Sequence, residues 1–137
     1  MYRDAALIAR MIKESKTIAV VGVSDRPDRP SNEVARYLEQ FYEVIPVNPN
    51  LESWGGKVCY PTLESIPHSI KIDLVDVFRR SADVLPVVEQ AIARPIPFIW
   101  LQQGIYNAEA ARLAEAASIG IVMDACLLVE HAKTRHS

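Results

Sequence analysis

Arg26 and Arg29 lie in the stretch GVSDRPDRPS, residues 22–31, and Arg79 follows the apolar run that ends at Phe78. A guanidinium offers a fixed fork of donors that matches phosphate oxygens, so this set of residues points to anion binding. Gly22 lets the backbone turn sharply and approach a ligand. Ser31 is the expected N-cap of the helix that follows, whose free N–H groups and dipole would face the same anion. Pro27 and Pro30 stiffen the loop and lower its ordering cost on binding.

Bond-making groups are sparser. The histidines are His68 in a Pro-His-Ser loop, His131 near the closing helix and His136 in the tail. Ser24, His131 and Asp124 would make a hydrolase triad only on a Gly-x-Ser-x-Gly elbow, and that motif is absent. Asp73 and Asp76 lie three apart in a strand segment and face opposite sides, so they are read as strand-edge or helix-contact polarity. No cluster has metal-ligand spacing. Cys59 and Cys126 form no disulfide framework, which fits a cytoplasmic protein with reduced thiols. Cys126 opens the last helix near the carboxyl edge of the sheet; a contact with a thiol ligand competes there with the commoner role of small buried hydrophobe. Trp54 and Trp100 read as packing residues.

The elements that must position these groups follow from hydrophobic periodicity. Residues 4–15 space Leu7, Ile8, Met11 and Ile12 as an amphipathic helix with Asp4 as N-cap. TIAVVGV (17–23), YEVIPVNP (42–49), IDLVDVF (72–78), PFIWLQ (97–102) and GIVMD (120–124) read as strands, with Pro46 placed late in its strand or on an edge. Asp83 and Asn107 are expected to cap the helices that follow them, and residues 126–133 to close the chain as a helix or turn. Strand and helix alternate five times in 137 residues, half of them hydrophobic. That is the pattern of one α/β domain, residues 1–137, with a doubly wound, Rossmann-like parallel sheet of five strands in the expected order 3-2-1-4-5. A ligand would then lie beyond the carboxyl ends of the strands, at the switch between strands one and four.

A formal net charge of −2 with no basic stripe excludes a nucleic-acid-binding prior, and the sequence has no signal peptide or transmembrane span. A classical NAD site requires glycine-rich spacing and an acid after strand two; here Ser24, Arg26 and Pro27 follow a single Gly22, and Asn48-Pro49 ends strand two. Asn48 can bond a ribose or adenine edge but supplies no carboxylate. No P-loop run is present.

The segments VVGVSDRPDRPSNEVARYL, VIPVNP, DLVDVFRR, WLQQGI and VMDACLLVEH, in that order, resemble the small stand-alone CoA-binding proteins of bacteria and archaea, themselves similar to the N-terminal CoA-binding domain of the succinyl-CoA synthetase alpha subunit. The resemblance implies coenzyme A or an acyl-CoA as ligand. By position it implies that Gly22, Val23 and Ser24 approach the diphosphate, with Arg29, Pro30 and Ser31 lining the same loop. Asn48, Pro49 and Asn50 would face the adenosine part; Phe78 and Arg79 end strand three; Trp100, Leu101, Gln102 and Gly104 form the strand-four segment near the ligand. Two departures stand out: Ala125 where relatives often carry arginine, and Phe41 in place of a usual glycine. The synthetases' phosphorylated histidine comes from a further domain, so a non-catalytic binding or regulatory module is expected. An NAD(P)-type oxidoreductase and a CoA-transfer partner with a separate catalytic subunit are the alternatives. A homodimer or another protein partner is left open.

Overall fold

The computed structural model describes residues 2–135; His136 lies outside them. Five parallel strands form the sheet: β1 (Thr17–Val21), β2 (Glu43–Val47), β5 (Leu74–Val77), β6 (Phe98–Leu101) and β7 (Gly120–Val122). A separate hairpin pairs β3 (Ser53–Trp54) with β4 (Lys57–Val58) around Gly55 and Gly56, both at positive φ as a tight hairpin turn requires. The β-branched runs are buried on both faces because helices cover both. Ile18 and Val20 pack with α1 (Ala5–Glu14), α2 (Pro30–Leu38) and α5 (Leu127–Thr134) on one side. Ala19 and Val21 pack with α3 (Leu85–Ala93) and α4 (Ala108–Ala116) on the other.

The α/β class and the five-stranded parallel sheet agree with the sequence, but the strand order does not. The sheet runs β2-β1-β5-β6-β7, which is 2-1-3-4-5 when its strands are counted along the chain, not 3-2-1-4-5. The outer edge of β2 is closed by its own return loop: Tyr60 N–H donates to Pro46 O at 3.0 Å and Asn48 N–H to Tyr60 O at 2.9 Å. Pro46, lacking an N–H, occupies that edge strand. The third sheet strand therefore docks on the other side of β1, with Phe78 N–H donating to Val21 O at 2.8 Å. The switch point consequently lies between β1 and β5 rather than between the first and fourth strands.

The later part of the long connection from β2 to β5 is gathered around one side chain. The Arg94 guanidinium donates to the carbonyls of Leu63, Ile66, Pro67 and Ile70 at 2.8–3.2 Å. Helix caps agree with the sequence at Asp4, which accepts from Ala6 and Leu7 N–H, and at Asn107, which accepts from Ala110 N–H. They differ at Ser31 and Asp83. Pro30 is itself the first residue of α2, a position where its missing N–H loses nothing, so Arg29 takes the cap. Asp83 closes a 3-10 turn, Ser81–Asp83, and Val84 caps α3, leaving Pro86 in the first turn.

Asp76 also departs from its expected role. It lies in β5, the central strand, at 0 % exposure, and neither carboxylate oxygen has a hydrogen-bond partner among the described residues. Burial pushes its carboxyl well above the ordinary range, which favours the neutral acid. Asp73 is satisfied at the start of β1, where Oδ2 accepts from Lys16 and Thr17 N–H. No helix among the described residues is long and apolar enough to cross a membrane.

Candidate functional site

At the switch point the first two central strands meet almost without clearance. Gly22 has φ +87°, and a Cβ there would lie 2.4 Å from the Phe78 carbonyl oxygen. Glycine is required by the neighbouring backbone, a cause the sequence could not distinguish from close approach to a ligand. The result is that the loop after β1, with Ser24 to Arg29, is held against the loop after β5, with Phe78 and Arg79.

Ser24 is the hub of the first loop. Its N–H donates to Ser31 Oγ at 3.0 Å, and its own Oγ accepts from Arg26 N–H at 3.0 Å. Its carbonyl accepts from Asn32 Nδ2 at 2.8 Å and from the indole of Trp54 at 2.9 Å. Ser31 thus serves as a buried brace in the first turn of α2. Trp54, brought in by the Gly55-Gly56 hairpin, is 2 % exposed, with the Arg36 guanidinium stacked 4.7 Å over its ring. Its packing role was readable from the sequence; its donation to the loop was not, since 30 residues separate the two partners. Asn32 was missed altogether, although a polar residue two after a helix-starting proline is the signal.

Asn48 is committed to the fold. Its Nδ2 donates to Val23 O and its Oδ1 accepts from Asn50 N–H, both at 2.8 Å, shaping an Asx turn at Pro49 and Asn50. Both internal bonds compete with the expected ribose or adenine contact. Cys59 Sγ reaches Asn48 O at 3.7 Å from below, and burial pushes that thiol up.

Of the expected site residues, Gly22, Ser24, Asn48, Phe78 and Arg79 are half-buried, and Arg29, Pro30, Pro49, Asn50 and Gly104 are exposed along this edge. Val23, Trp100, Leu101 and Gln102 are buried, so their side chains shape the edge from beneath. The Trp100 indole donates to Ala125 O at 2.8 Å, and Gln102 Oε1 accepts from Leu127 N–H at 3.2 Å, tying the start of α5 to the end of β6. Gly104, at φ +84°, donates to Asp124 Oδ1 at 2.8 Å. Cys126 is the half-buried N-cap residue of α5, at the β7 end of the edge.

Two guanidiniums in the loops at the switch point are free of acidic partners: Arg29 and Arg79 have no carboxylate within ion-pair distance among the described residues, whereas Arg26 pairs with Asp28 and Arg80 with Asp83. Arg79 borders a cavity of about 240 Å3 between the β1 end, the Pro61–Leu63 segment and α3. The hydrolase alternative fails on geometry. His131 is 7 % exposed in an aromatic cluster, its Nδ1 2.7 Å from Tyr37 Oη and its ring 4.5 Å from Phe41, away from Ser24. Burial, with Arg135 nearby, lowers its proton affinity. No group of three metal-ligating side chains occurs among the described residues.

A family model described as a CoA binding domain matches residues 16–132. The uncharacterized protein YneT of Bacillus subtilis is 40 % identical over 131 residues, covering 95 % of this chain and 96 % of YneT. A solved hypothetical protein from Pyrococcus horikoshii superposes with a TM-score of 0.87 at 39 % identity, over 92 % of this chain and 88 % of that one. A dinucleotide-forming acetyl-coenzyme A synthetase from Candidatus Korarchaeum cryptofilum, in complex with phosphate and ADP, matches with a TM-score of 0.69 at 25 % identity, over 82 % of this chain but 26 % of its own.

Proposed function

Because this chain belongs to the CoA binding domain family, we propose that it holds coenzyme A or an acyl-CoA across the carboxyl edge of its sheet and performs no chemistry of its own. The observation that carries this reading is the pair of unneutralised guanidiniums, Arg29 and Arg79, in the two loops that Gly22 locks together at the switch point. CoA brings a diphosphate and a ribose 3′-phosphate, three phosphate groups for which the guanidiniums of Arg29 and Arg79 beside the N-terminus of α2 are suited. Pro30 and the wired Ser24 hold that loop in shape before the ligand arrives, which lowers the cost of ordering it. The expected contacts are the main chain at Gly22, Val23 and Ser24, the side chains of Arg29 and Arg79, and the Asn48–Asn50 turn beside the adenosine.

A second reading is favoured by one comparison. A fold covering about a quarter of a larger synthetase (26 % of its chain) is also what a CoA-carrying partner of a separate catalytic subunit would look like. The NAD(P) reading gains no support, since no acid follows β2 and Asn48 is spent on its own turn.

Calorimetry with CoA, acetyl-CoA, NAD and ADP tests the proposal. CoA is expected to bind tightest, and Arg29→Ala and Arg79→Ala each to weaken it by about tenfold, the loss of one charge-assisted hydrogen bond. Tighter binding of NAD than of CoA would refute the ligand; unchanged CoA affinity in both variants would refute the residues.

A further inference from the structure

At the β7 end of the same edge lie two adjoining concavities. The outer one, of about 390 Å3, borders Asp124, Ala125 and Cys126 at the turn into α5. The inner one, of about 440 Å3, runs between α1 and α5 over Ala5, Ile8 and Ala9. Arg3, Glu130 and Lys133 line both, so these charges stand where the two meet. The gap exists because α1 offers two alanines there rather than side chains long enough to fill it.

The charges are not equivalent. Lys133 Nζ is 3.3 Å from Glu130 Oε2, so that pair neutralises itself. The Asp124 carboxylate accepts from Gly104 N–H. Arg3 has no carboxylate within ion-pair distance among the described residues, and its Nη1 makes a long 3.4 Å contact with the Asp124 carbonyl. The inner concavity therefore combines apolar walls with one unbalanced positive charge. Two strand spacings separate β5 from β7, roughly 10 Å at about 4.8 Å each. A ligand with its phosphates at the β1–β5 switch and its arm laid along the edge would bring its far end to the outer concavity.

We propose that this trough is an acyl subsite, and that the acyl group it takes is a short aliphatic chain ending in a carboxylate, held by Arg3. This rests on the CoA reading above and deepens it. The chain methylenes lie against Ala5, Ile8 and Ala9, and the terminal carboxylate meets the one guanidinium that the fold leaves unneutralised there.

The test compares CoA, valeryl-CoA and glutaryl-CoA, the last two matched in chain length and differing in the terminal carboxylate, by calorimetry on the wild-type protein. Glutaryl-CoA is expected to bind about tenfold more tightly than valeryl-CoA. Arg3→Gln should abolish that preference while leaving CoA affinity unchanged. Ala9→Leu, which fills the inner concavity with a good helix former, should weaken glutaryl-CoA but not CoA. Equal affinities for the two thioesters with CoA still bound would overturn the acyl assignment alone. A preference that survives Arg3→Gln would overturn it too, as would free glutarate binding as well as glutaryl-CoA does. No binding of CoA at all would overturn this proposal together with the reading beneath it.

Discussion

Asp76 makes the pH dependence of stability calculable in sign and slope. The residue is 0 % exposed in the central strand, flanked in register by Val20 and Trp100, and neither of its oxygens has a partner among the described residues. Desolvation alone raises its carboxyl well above the ordinary value, so the folded protein favours the protonated form. In the unfolded chain the same group ionises near its ordinary value of about 3.9. Between those two values the native state holds one proton that the unfolded state has released. Folding stability then falls as pH rises, by about 1.4 kcal/mol per pH unit, until the folded group ionises. Below the unfolded value both states are protonated and the penalty vanishes. Asp76→Asn keeps the shape and cannot ionise, so subtracting its stability from the wild type cancels every other titrating group. Urea denaturation of both proteins from pH 4 to pH 8 is the assay. The variant should gain on the wild type by that slope above pH 4 and approach it at pH 4. A difference that stays flat as pH rises from 4 would refute the reasoning, because it would mean that burial does not raise the folded carboxyl above its unfolded value.

Three other outcomes follow from the same structure. Gly22→Ala should destabilise the fold by about 2 kcal/mol or more, since a Cβ at φ +87° is strained and would lie 2.4 Å from the Phe78 carbonyl; thermal melting checks it. Arg94→Ala removes the guanidinium from four carbonyls of the 63–70 segment, of which those of Leu63 and Pro67 keep a backbone N–H donor, and should cost about 2–3 kcal/mol, with hydrogen exchange rising first in that segment. Removing the donor in Trp54→Phe should cost only about 1 kcal/mol by urea denaturation, because Asn32 still donates to the Ser24 carbonyl; combined with Asn32→Ala the loss should exceed the sum of the two.

Much of the candidate site was legible because its signals are local. The Gly55-Gly56 turn and the caps at Asp4 and Asn107 depend on residues within a few positions of one another, whereas Gly22 is fixed by the Phe78 carbonyl at the end of β5. Other positions acquired their roles through partners outside their own stretch of sequence. Asn48, expected at the ligand, also braces the fold, its amide donating to Val23 O across 25 residues. Ser31 resembled a cap until Ser24 N–H took its hydroxyl. Asp76 resembled edge polarity until its strand proved to be the central one.

By itself the sequence determined the α/β class, the five strands and the helices between them, since apolar periodicity and turn chemistry are written in consecutive residues, and its ordered motif segments carried the family resemblance. Only the tertiary structure decided which strands are neighbours. In the folded chain Tyr60 closes the outer edge of β2, a pairing between residues 13 positions apart that no periodicity encodes. With that edge occupied, β5 lies beside β1, and the Arg29 and Arg79 loops share one switch point.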